Sequence, residues 1–521
     1  MHSLAGQLSA RRLARARERQ PTRQESVIVE ERPASDDLDM IKYTSPDALR
    51  AFVLSGDVQF VKASYILSLA QQGMRFQRRQ DVSEECCADQ ATIERWIGEI
   101  EASIALRNEF TSAARSDFVE FRLGMRFPPF VIVSYAWLNA EHPDPDGLQL
   151  NHVLAPFVEW YMSERARYIS ADVQDRAFGV RAVTQTPAGS RARLAAPFTA
   201  EGVDFGIFLD FSSIWQKERS ASQEASFRCA LQSMDLLYAH QETVVVRMTR
   251  SFLDGIKPYN ERGWPFFETS ASQYIKPTFH CLDLGREQAV AALDKFSGEI
   301  KSPEELAAQG MYRNRDYPGG TLRALKDRRL PPLVPEEFAA RAQTKTLTNG
   351  KDMEILLKLQ EEVSLRVLSN VEELNFSQLL WGDLEMKLLA KALQMCRKLR
   401  TLDLSHNKQI TQVGAQLLAT CVSSSPSLQT LSLYGALALN DAGAIAICEA
   451  IQQNTQTQLA SLNLFNTGIS DVTGKALVAT LADTPTLMKV NVSGFHNKLG
   501  EAGKAALMDI VKDRKDFELK L

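Results

Sequence analysis

The chain has 521 residues, with 45% hydrophobic and 24% charged side chains and a net charge of −4. This length is too great for one core and implies several domains. The charge balance excludes a general attraction to nucleic acid or anionic membranes, and no apolar run reaches the length of a membrane span. The seven cysteines are scattered apart from Cys86-Cys87, with no metal-ligand spacing and no disulfide framework. Reduced thiols in a cytoplasmic protein are expected.

Residues 1–40 carry few large apolar groups and read as a disordered basic tail. Six arginines against the single acid Glu18 in the first 24 residues also suit an organelle transit peptide, the alternative location. Residues 45–127 read as a helical region. Ser45-Pro46-Asp47 opens a helix, and Phe52, Val53, Phe60, Val61, Tyr65, Ile66 and Leu69 recur at helical spacing.

An α/β domain is expected over 128–285. Its strands are Phe130–Tyr135, Val203–Asp210, Thr243–Met248 and Thr278–Leu284, separated by helices over Leu148–Tyr168, Ala221–His240 and Trp264–Tyr274. Alternating strand and helix predicts a parallel sheet with right-handed crossovers. Such sheets bind ligands at the carboxyl ends of their strands. Ser134, Tyr135, Asp210 and Ser212 fall at strand ends, where turn hydrogen bonds are the plainer role. Glu268 lies four residues after Trp264 on one helix face, and a bulky ring beside a carboxylate can make a dry, proton-retaining acid. Asp144 and Asp146 alternate as in a calcium loop but lack the rest of that pattern, so no metal is expected.

The order of these elements resembles a TIR domain. Tyr259 through Trp264 to Glu268 resembles that family's Y-x-x-S-x-W-C-x-x-E stretch, with Pro265 in place of its Cys. The segment also resembles the TIR-like fungal HET (heterokaryon incompatibility) domain. Ser134-Tyr135-Ala136-Trp137 matches its S-Y-x-W, and Asp210, Ile214 and Gln216 match its D-x-x-x-I-x-Q. Met234 to Tyr238 matches its M-x-x-[IL]-Y helix end. The resemblance implies a flavodoxin-like sheet and two alternatives. One is an interaction module able to self-associate. The other is a nucleosidase that cleaves the nicotinamide–ribose bond of NAD as substrate, with Glu268 catalytic and Ser134, Tyr135, Asp210, Ser212 and Trp264 lining the site. No bound cofactor is implied.

Residues 286–368 read as a helical linker. From 369 to 521 the pattern L-x-x-L-x-L recurs, starting at Val371, Leu399, Leu428, Leu459 and Leu487. A period of 28 to 31 residues is that of a leucine-rich repeat α/β solenoid, each unit continuing into a helix marked by Gly414, Gly443, Gly474 or Gly503. The helical continuation resembles the ribonuclease-inhibitor type. The asparagine of the motif is present only at Asn407. A protein partner is expected on the repeats. The combination reads as an intracellular recognition and signalling protein, without the P-loop ATPase of a full receptor.

Overall fold

The computed structural model describes residues 40–111, 127–169, 203–296, 320–347 and 349–521. All but Met40 of the tail read over 1–40, and an Arg- and Ala-rich insertion read over 170–200, lie outside the described residues.

Strand β1 (Val61–Lys62) precedes β2 (Phe130–Tyr135), β3 (Gly206–Phe208), β4 (Val244–Met248) and β5 (Cys281–Asp283). They form one sheet in the order β1-β3-β2-β4-β5, in which β2 to β5 are parallel and β1 is antiparallel to β3. The first parallel strand is therefore central, and the chain winds to one side and then to the other. The crevice at this reversal, between the carboxyl ends of β2 and β4, is where an open sheet of this kind can admit a ligand. Every residue of β2 is buried, which explains its unbroken apolar sequence.

Three segments differ from the sequence reading. The 45–127 region is not helical throughout. Its β1 extends the sheet, and Phe60 and Trp96 pack edge-on to Phe130 of β2. A two-residue strand is too short to show alternation. The expected Ala221–His240 helix breaks at Ser233 into Ala221–Gln232 and Met234–Ala239. The 286–368 stretch is more than a linker. Its Asp352–Asn370 helix is part of the main core, and its Ser364 hydroxyl lies 2.7 Å from that of Tyr274 in the α/β domain.

The second sheet stacks β6 (Glu373–Asn375), β7 (Thr401–Asp403), β8 (Thr430–Ser432), β9 (Ser461–Asn463), β10 (Lys489–Asn491) and β11 (Glu518–Lys520) in parallel, in chain order. The expected leucines pair across it in register and are buried: Leu374, Leu402, Leu431, Leu462, then Val490. The sixth strand was not legible from the repeat pattern. One end of this solenoid rests on the 286–368 stretch, which itself packs on the α/β domain. Trp381 Nε1 donates to the Arg329 carbonyl at 2.7 Å, and one continuous apolar cluster runs from Phe130 and Tyr274 through Leu356 to Leu402 and beyond.

The motif asparagine has two representatives. Asn407 accepts from the Leu379 and Trp381 amides, both at 3.1 Å, and donates to the Phe376 and Leu404 carbonyls. Asn497 does the same in the fifth unit, accepting from Thr467, Gly468 and Ile469 and donating to Leu464 and Val492. The sequence reading placed Phe495 there. A loop through Gly494, at φ +116, carries the asparagine two residues further on. Of the repeated glycines, Gly414 and Gly503 each have a local cause in an aspartate of the preceding unit, whereas a Cβ at Gly474 would meet nothing closer than 3.8 Å. A Cβ at Gly414 would lie 2.6 Å from an oxygen of Asp383, whose carboxylate accepts the Thr411 and Gly414 amides of the next unit.

Candidate functional site

The carboxyl end of β2 gathers two separate sets of polar groups. In the first, the Ser134 hydroxyl donates to Glu268 Oε2 in a short bond. Tyr259 lies 2.5 Å from Ser134 Oγ, so with Ser134 donating to Glu268 the Tyr259 hydroxyl donates to Ser134. Tyr238, from the end of the Met234–Ala239 helix, also hydrogen-bonds Glu268 through its hydroxyl. In the second set, Tyr135 Oη donates to Asp210 Oδ1 at 2.5 Å, Trp137 Nε1 to Oδ2 at 3.0 Å, and the Phe211 amide to Oδ1 at 2.6 Å.

Alternation along β2 accounts for the split. Successive side chains point to opposite sides of a strand, so Ser134 and Tyr135 engage different carboxylates. Glu268 arrives on the Gly263–Ala271 helix, fixed close to the neighbouring segment by Gly263. A Cβ there would fall 2.1 Å from the Leu347 side chain, which accounts for glycine at this position.

Glu268 as a residue is partly exposed, but its carboxyl end is enclosed by these neighbours. Burial pushes its pKa up to about 8, and the nearby Asp210 charge adds to the rise while Ser134 and Tyr238 oppose it. Burial also raises Asp210 above the usual carboxylate range, against the pull of its three donors. Beside the first set, Arg247 of β4 lies 6.0 Å from the Tyr259 ring centre and is shared by Asp283 and Asp327.

The structure thus brings Ser134, Tyr135, Asp210 and Glu268 to one edge of the sheet. Ser212 is placed elsewhere. Its hydroxyl donates to the Gln77 carbonyl at 2.6 Å, and the residue is buried in the turn after β3. Trp264 and Glu268 have different neighbours despite their helical spacing. The Trp264 indole donates to Asp352 at 3.0 Å, toward the Asp352–Asn370 helix. Trp137, in the loop after β2, reaches Asp210 through its indole. Asp144 serves as a cap, accepting from the Gln149 and Leu150 amides. Among the described residues no group of three or more His, Cys, Asp or Glu could hold a metal ion. Trp137, Tyr238 and Tyr259 were not among the sequence candidates, although each stands in a motif quoted above.

The solenoid presents a second surface. Tyr434, just past β8, stacks on Phe465 with ring centres 4.6 Å apart and planes 8° apart, and His406 meets Tyr434 edge-on at 4.6 Å. All three rings are partly exposed on the strand side, and Phe495 beyond them is 99% exposed.

Comparison with known proteins finds two likenesses in the repeat region. The family described as Leucine Rich repeat matches residues 396–419, which span β7 and the start of its helix. A particular relative is the ribonuclease inhibitor of Mus musculus, 33% identical over 145 residues, or 27% of this chain and 30% of that protein. The chain therefore covers less than a third of that relative. Among the described residues no helix is long and apolar enough to cross a membrane.

Proposed function

We propose that the chain is a recognition protein in which the leucine-rich repeats bind a protein partner and the α/β domain is a TIR/HET-like module. The observation that carries the first part is the stacked, partly exposed pair Tyr434 and Phe465 on the open strand face. Aromatic anchors dominate binding energy when a partner covers them. The similarity to a protein named for inhibiting a ribonuclease supports a protein as the occupant. The second part is supported by the strand order and by two sets of contacts among residues of the quoted motifs, Ser134 and Tyr238 with Glu268, and Tyr135 with Asp210. Affinity capture followed by titration of the captured partner tests the repeat surface. Replacing Tyr434 and Phe465 by Ala should weaken that binding at least about 30-fold, the equivalent of one strong anchor. Equal affinity of the wild type and double variant would overturn the assignment.

A second reading has its own observation. Glu268 stands hydrogen-bonded at the sheet reversal, where a ribosyl cation could be stabilised by a carboxylate. In this reading the domain is a nucleosidase that cleaves N-glycosidic bonds, with NAD as first substrate. Purified, concentrated protein should then release nicotinamide, and Glu268→Gln should slow release by about 10²–10³. Undiminished release by the Gln variant would remove Glu268 from the mechanism.

A further inference from the structure

We propose that Arg329 is a latch between the leucine-rich repeats and the helix that bears Glu268. The first repeat holds the Arg329 guanidinium on the end of that helix, and movement of the repeat releases it. The trigger, a partner seated on the repeats, rests on the recognition reading above. The tie itself does not, and it is independent of what the α/β site binds or cleaves.

The contacts of Arg329 carry the argument. The residue is 1% exposed. Its guanidinium donates to the Lys276 carbonyl at 2.6 Å and to the Gln273 carbonyl at 2.7 Å. Both carbonyls lie just past the Gly263–Ala271 helix, in the turn that ends it. That turn also holds Glu268 by its backbone, the Ser272 amide donating to the Glu268 carbonyl at 3.2 Å. The guanidinium lies over the ring of Phe376, 5.3 Å from its centre, and the Arg329 carbonyl accepts from Trp381 Nε1. Phe376 and Trp381 belong to the first repeat, with ring centres 4.8 Å apart. One side chain is thus fixed at once by the helix end and by the repeat.

The adjoining residues extend the tie. Lys326 Nζ donates to the Gln378 carbonyl of the first repeat at 2.5 Å. Asp327 accepts from Arg247 in a short bond, and Arg247 stands over the ring of Tyr259, whose hydroxyl meets Ser134. Residues 326–329 therefore touch the repeat at Phe376, Gln378 and Trp381, and the α/β domain at Arg247 and at the helix end.

The chemistry of the group gives the latch two states. A guanidinium keeps its charge and is unfavourable to bury without partners. Carbonyls at a helix end suit a cation, and an aromatic face attracts one. These replace water only while the repeat covers the group. With Phe376 and Trp381 drawn away, water competes for the guanidinium and the two carbonyls lose their donors. The covered, bound side chain and the hydrated, released one are alternative states whose balance the repeat sets.

Hydrogen–deuterium exchange of the full chain, read by mass spectrometry of its peptides, tests the latch. Trp381→Phe keeps a ring and removes the donor to Arg329. It should speed exchange over residues 268–274 at least about fivefold, as for loss of one buried hydrogen bond, and leave β2 unchanged. Arg329→Met should produce the same local change, and adding Trp381→Phe to it should change nothing further there. Faster exchange confined to the first repeat overturns the latch. An equal rise in β2 overturns it as well, since that reports general destabilisation. A further rise over 268–274 when Trp381→Phe is added to Arg329→Met shows that the tie bypasses Arg329, and overturns the assignment. Trp381→Phe alone decides the first two outcomes even if Arg329→Met fails to fold.

Discussion

Replacing Leu462 by Ala is expected to lower the free energy of unfolding by about 2–5 kcal/mol, as for other large-to-small changes in packed cores. Leu462 is the middle residue of β9 and is fully buried. It stands in register between Leu431 and Val490, so its side chain fills space bounded by the units on both sides. Neither neighbour can collapse into the gap without breaking the ladder it shares with the next strand. Chemical denaturation measures the effect, with Val472→Ala as a control, since Val472 is 56% exposed. A loss below about 1 kcal/mol at Leu462 would place it outside the core.

The second large effect is a pH dependence. Glu268 has its folded-state pKa raised from 4.5 to about 8 by burial. Between those values the folded protein keeps a proton that the unfolded chain releases. Wild-type stability should therefore fall as pH rises from about 4.5 through 8 and level off above it. An amide at this position does not titrate. Glu268→Gln should gain relative to wild type across that window, by on the order of a few kcal/mol at its upper end. Unfolding midpoints of the two proteins at several pH values measure the difference. A gap that stays constant with pH would show that the carboxyl is not desolvated in the fold.

The repeats were the most legible part of the sequence. Their apolar spacing is set by the strand itself and returns in every unit, so the positions of Leu402, Leu431 and Leu462 followed directly. Asn497 escaped because the loop through Gly494 shifts it out of the expected position while preserving its hydrogen bonds. In the α/β domain the strands were legible as apolar runs, and the candidates pair as Ser134 with Glu268 and Tyr135 with Asp210. Trp264 illustrates the limit of such reasoning. Helical spacing relates it to Glu268, but its indole finds Asp352, 88 positions along the chain. The division of β2 between two carboxylates was likewise illegible, because it depends on which elements approach each side of the strand. Tyr238 reaches the site from Met234–Ala239, which Ser233 separates from the preceding helix.

The apolar cluster shared by the α/β domain and the repeats has a consequence for modularity. An array of repeats ordinarily needs a terminal unit whose outer side is polar. Here Trp381 and its neighbours meet the 286–368 stretch instead, whose Leu356 continues the same cluster toward the α/β domain. A repeat array transplanted from another protein could not be attached at residue 369 as a ready-made part. Its first unit would have to be rebuilt to fit Tyr274, Leu333 and Leu356. Variation in recognition is therefore freest at the far end, around Phe465 and Phe495, where change leaves this joint untouched.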